Sequence, residues 1–89
     1  MLRYDAIKKS VHKVIIHLIK NARGTAVTFK PVQLARKAGL PVSPAICSVI
    51  RYYLENELGL PYISKNGHGY RYIINKYQHP DLWNSAKNS

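Results

Sequence analysis

Apolar residues recur at spacings of three and four through residues 5–22, DAIKKSVHKVIIHLIKNA. Ile7, Val11, Val14, Ile15, Leu18 and Ala22 form one stripe, the pattern of an amphipathic helix. Asp5 stands at its start, where an acidic side chain suits the helix dipole, and Lys9, Lys13 and Lys20 lie opposite the stripe. Ile16 falls among the lysines and Ile19 at the stripe's edge. Arg23 and Gly24 break the period. Thr25–Phe29, TAVTF, is β-branched and aromatic and reads as a short strand.

The helical period returns twice between Phe29 and Leu60. Pro31 opens a short helix to Ala38, at the one position where its missing N–H costs nothing. Leu34, Ala35 and Ala38 share its inner face, and Gln33, Arg36 and Lys37 point outward. Gly39 follows the last periodic residue, as a left-handed C-terminal cap requires. Leu40 and Val42 are expected to tuck inward. Ser43 is a good N-cap, Pro44 again suits the first turn, and a second helix is expected to run to about Leu58, stopped by Gly59. Two helices joined by a short corner containing Gly make a helix-turn-helix pattern. On the second helix Ile46, Cys47, Ile50, Tyr53, Leu54 and Leu58 face the core. Pro44, Ala45, Ser48, Tyr52 and Glu55 face away, with Arg51 on the flank.

The remainder alternates. LPYISK is a strand with Pro61 near its start, NGHG at 66–69 is a hairpin turn, and YRYIINKY at 70–77 is the return strand. Tyr70, Tyr72 and Ile74 share one face; Arg71, Ile73 and Asn75 share the other. The predicted architecture is therefore α+β, in the order α-β-α-α-β-β over residues 1–78, with a C-terminal tail over 79–89. Pro80 could open one helical turn of that tail, and the last five residues are expected to be disordered. Trp83 either covers the open end of the core or packs against another subunit. Ile16, Ile19 and Trp83 are the candidate dimer contacts.

Charge changes the picture more than length does. Eighty-nine residues suffice for one modest core, but fourteen Lys and Arg face four Asp and Glu, a formal charge of +10. Such a chain suits a polyanionic partner. No unbroken apolar run exceeds three residues, so no membrane span is expected, and MLRYDAIKK carries no secretory h-region. The single cysteine, Cys47, cannot form an internal disulfide and fits a reducing, cytoplasmic setting. It reads as a small buried hydrophobe rather than a nucleophile.

The run VTFKPVQLARKAGL, the helix VSPAICSVIRYYLENELGL and the hairpin YISKNGHGYRYII together resemble the winged helix-turn-helix superfamily. The Lys-, Ile- and Tyr-rich composition is also similar to that of small DNA-binding proteins of thermophilic archaea and their viruses. The resemblance implies a double-stranded DNA partner, with the third helix in the major groove. There Arg51 would donate to guanine, Ser48 would bond a base edge and Ala45 would touch a thymine methyl, while Tyr52 would reach phosphate or sugar. Ser43 would offer a helix N-terminus to a phosphate. Lys30, Arg36 and Lys37 would contact the backbone, and the wing would bring Lys65, Asn66, His68 and Arg71 to the adjacent minor groove. Glu55 would accept from a cytosine amino group or repel phosphates.

Enzymatic chemistry is not expected. Asp5, Glu55, Glu57 and Asp81 form no acid–base pair; Glu55 and Glu57, two apart on a helix, diverge. His12, His17, His68, His79 and the lone Cys47 match no zinc spacing, and NGHG is too short for a nucleotide-phosphate loop. No metal or cofactor is expected. Three functions remain: a DNA-binding transcription regulator, expected to be homodimeric and nucleoid-associated; an architectural protein coating DNA with little sequence preference; and a winged helix used for protein contacts.

Overall fold

A computed structural model describes residues 3–60, 62–66 and 69–88, with 63–66 and 69 described by their backbone. Among the described residues the order is α1 (Tyr4–Lys20), β1 (Ala26–Phe29), α2 (Pro31–Lys37), α3 (Pro44–Tyr52), a π-helical turn (Tyr53–Glu57), β2 (Tyr62–Asn66), β3 (Gly69–Asn75) and α4 (Pro80–Lys87). The fold is α+β.

The buried stripe of α1 runs Ile7, Val11, Ile15 and Ile19, a strict four-residue repeat. That repeat drifts around the helix, so Ile19 is fully buried while Val14, Leu18 and Ala22 pack from the flanks. Ile16, expected among the lysines, is half-buried against the same core.

Both corner helices end as their glycines predict. Gly39 has φ +73° and Gly59 φ +64°, the left-handed region that side chains with a Cβ avoid. After α2 the Leu40 amide donates to the Ala35 carbonyl at 2.9 Å, closing a Schellman cap. After the π turn the Leu60 amide reaches the Leu54 carbonyl at 2.9 Å, one residue further back. The extra residue of a π turn accounts for that shift. The α-helix predicted to reach Leu58 therefore stops at Tyr52 and continues as the π turn. Tyr53 and Leu54 are both buried. Val42, expected to tuck inward, is 49% exposed, while Leu40 packs against the core.

The three strands form an antiparallel sheet in the order β1-β3-β2. Val27 pairs with Ile74, Phe29 with Tyr72 and Tyr62 with Tyr72. One extra residue between Tyr62 and Ser64 bulges β2. Tyr72 and Ile74 are buried and Arg71 is exposed, as the alternation predicts. The strand stops at Asn75, whose side-chain oxygen accepts from the Tyr77 and Gln78 amides at 2.9 and 2.8 Å. Such an Asx turn diverts the backbone from the ladder.

The helix that Pro80 was expected to open extends into the segment expected to be disordered, taking in residues 85–87. Residues 80–87 form two turns of helix, with Trp83 4% exposed and Ala86 buried. Lys87 donates to the Ala22 carbonyl at 2.7 Å, placing a cation at the C-terminal end of α1. Trp83 belongs to the same core cluster as Ile15 and Ile19, so it closes the core from within the chain.

Candidate nucleic-acid interface

The start of α3 is fixed by its own sequence. Ser43 holds extended backbone, φ −141° and ψ 160°, and its hydroxyl accepts from the Ile46 amide at 3.2 Å. Pro44 needs no partner, and the Cys47 amide donates to the Ser43 carbonyl at 2.9 Å. Of the first-turn amides, Ala45 alone remains outside the cap, so the helix end offers less to a phosphate than the sequence suggests. Ala45, Ser48 and Tyr52 are exposed on one side of α3, Tyr52 at 57%, while Ile50 on the other side is fully buried. Cys47 is a free, half-buried thiol. Tyr4 of α1 meets Tyr52 edge-on at 6.0 Å. Together with Ser48 and Val49 they line an open hollow of about 460 Å3.

Lys30, Arg36 and Lys37 are brought together. With Val32 and Gln33 they line one hollow of about 560 Å3 beside α2. The Lys30 amide donates to the Gln33 side chain at 3.4 Å, which orders the first turn of that helix.

Of the four wing residues, Arg71 alone has a described side chain. Arg71 is exposed on the outer face of β3, away from the buried Tyr72. Lys65 and Asn66 contribute backbone to β2, but their side chains lie outside the described residues, as does His68.

Arg51 and Glu55 depart most from the sequence expectation. Glu55 does not stand outward on the helix. Its Oε2 accepts from the Tyr72 hydroxyl at 2.7 Å and from Arg51 Nε at 3.3 Å. Arg51 Nε also lies 3.4 Å from the Tyr72 hydroxyl, and the guanidinium sits 3.9 Å from the centroid of the Tyr70 ring. Tyr70 in turn meets Tyr62 edge-on at 4.9 Å. A cation over an aromatic face, tethered at one edge by a carboxylate, is a well-held cation. Burial, aided by Glu55, pushes the Tyr72 phenol up to about 12, so it remains a neutral donor at physiological pH. The Arg51–Glu55 spacing of four was visible in the sequence. The Tyr72 hydroxyl was not, because the alternation of β3 marks it only as a core residue.

A second unforeseen network joins α1 to the π turn. Glu57 accepts from Lys8 at 2.7 Å and from the Tyr4 hydroxyl. Hydrogen bonds from Lys8 and Tyr4 hold its carboxyl below the ordinary carboxylate range. The two carboxylates near α3 therefore diverge as expected, and each is balanced by a cation of the same chain. His12 Nδ1 lies 2.8 Å from the Tyr53 hydroxyl, a further contact between α1 and the π turn.

No protein-family model, curated protein or solved structure matches the chain.

Two of the three candidate dimer contacts are withdrawn. Ile19 is 0% and Trp83 4% exposed, covered by the packing of α4 on α1, and Ile16 is half-buried. Among the described residues no group of three or more His, Cys, Asp or Glu is placed to hold a metal ion. No helix among them is long and apolar enough to cross a membrane.

Proposed function

We propose that the protein binds double-stranded DNA through a winged helix-turn-helix, as a transcription regulator associated with the nucleoid. The observation that carries this reading is the exposed face of α3. Ala45, Ser48 and Tyr52 project from a helix whose opposite side is anchored in the core, and Lys30, Arg36 and Lys37 line a hollow on α2, the helix packed against it. Small residues at 45 and 48 let a helix sit deep in a major groove. The neighbouring cations then supply phosphate contacts that set register. The sheet order β1-β3-β2, with the hairpin directly after α3, supports the winged arrangement. The net charge of +10 supports the polyanion.

One observation favours a DNA-coating protein of low sequence preference instead. The exposed side of α3 presents Ala45, Ser48 and Tyr52, and no Arg, Asn or Gln. Base reading would then rest on few groups.

Titration of a labelled random duplex, and of a duplex enriched from a random pool, separates the two. A regulator binds the enriched site at least about a thousandfold more tightly than random sequence. A coating protein binds both alike. Absence of binding to either duplex refutes both readings.

A further inference from the structure

Resting on the DNA-binding reading, we infer that Glu55 and Tyr72 are positioning residues that hold Arg51 on the Tyr70 ring so that it reads a guanine. The geometry fixes the guanidinium on two sides. Its Nε edge faces Glu55 Oε2 at 3.3 Å and the Tyr72 hydroxyl at 3.4 Å. Its Cζ sits over the Tyr70 ring, 3.9 Å from the centroid. Tyr72 is fully buried in the middle strand, so the anchor is as rigid as the core. The Arg51 side chain remains 38% exposed, on the flank of α3 between the helix and the hairpin. An arginine held by Nε keeps the two terminal nitrogens that match guanine O6 and N7. Holding it in advance removes the rotamer entropy that a free arginine loses on binding. A carboxylate beside a DNA-binding helix is otherwise a liability, because it repels phosphates. Here it gives up long-range attraction and gains direction.

The roles separate affinity from preference. Glu55→Gln removes a negative charge and loosens Arg51. It should tighten binding to a random duplex a few-fold and lower the ratio of enriched to random binding about tenfold or more, with loss of one guanine from the enriched site. Tyr72→Phe keeps the charge and the shape. It should lower the same ratio without tightening random binding. Arg51→Ala should remove the same guanine, and Glu55→Gln placed on that background should leave the ratio unchanged, because Glu55 acts through Arg51.

The experiment is selection from a randomised duplex pool by the full chain and each variant, followed by anisotropy titration on the enriched and random duplexes. Melting curves establish that the variants fold. A wild type that enriches a site, with Glu55→Gln and Tyr72→Phe keeping its guanine and its ratio, overturns the positioning role and leaves the DNA reading intact. Additive effects of Glu55→Gln and Arg51→Ala on the ratio overturn it as well. A wild type that binds no duplex overturns both.

Discussion

Gly39 and Gly24 look alike in the sequence but face different constraints. A Cβ at either would meet nothing within 4 Å, so packing cannot distinguish them. Gly39 has a left-handed φ, and Gly24 does not. Gly39→Ala should therefore lower stability by about 1–2 kcal/mol through backbone strain alone. Gly24→Ala should be neutral or stabilise by up to about 1 kcal/mol, by restricting the unfolded chain. Urea denaturation of the two variants measures the contrast. Glu57 gives a pH signature at the same scale. Lys8 and Tyr4 depress its carboxyl, so its contribution is complete above the ordinary carboxylate range and fades as pH falls through the depressed value. Lys8, raised by the same pair, loses its contribution only as pH rises past the lysine range. Glu57→Gln should thus melt slightly below wild type at pH 7, with the gap closing below about pH 4 and at high salt. A gap that widened in acid would show that Glu57 is not held as an ion.

The elements were legible wherever local chemistry decides. Pro31, Gly39, Ser43, Pro44 and Gly59 mark helix ends that need no tertiary partner, and all five sit where their backbone preferences place them. The alternation of 70–75 and the exposed side of α3 were equally clear. Three features were not. The π turn at Tyr53–Glu57 buries the adjacent Tyr53 and Leu54, and no local signal distinguishes it from α-helix. The burial of Ile19 depends on a helix sixty residues away. The Arg51–Glu55–Tyr72 cluster needs a strand hydroxyl whose position only the sheet register fixes. A helical turn at Pro80 and Trp83 over the open end of the core were both legible, but the length of that helix was not, because the large apolar residues of the tail are only the adjacent Leu82 and Trp83. With Trp83 inside the core, Trp83→Ala should cost about 3–5 kcal/mol. A variant truncated after residue 78 should be destabilised at least as much. If either melts like the wild type, α4 is only loosely attached and Trp83 regains its place as a partner contact.

At the scale of the whole molecule, the charge has a layout as well as a magnitude. Glu55 and Glu57 are balanced within the chain, while Lys30, Arg36 and Lys37 gather at one hollow on α2, the helix that packs against α3. An interface of this kind draws its affinity from released counterions, so salt probes it directly. The central claim is that the exposed side of α3, backed by those cations, lies against duplex DNA. Its most direct test is anisotropy titration of a labelled random duplex with wild type and Ser48→Glu. With roughly four to six phosphate contacts, wild-type affinity should fall by roughly 150- to 2,000-fold between about 50 and 200 mM salt. Ser48→Glu, which places a carboxylate at the centre of the proposed contact, should bind at least tenfold more weakly at every salt concentration. An affinity that moves less than tenfold over that range, or a Ser48→Glu protein that binds like the wild type, contradicts the account.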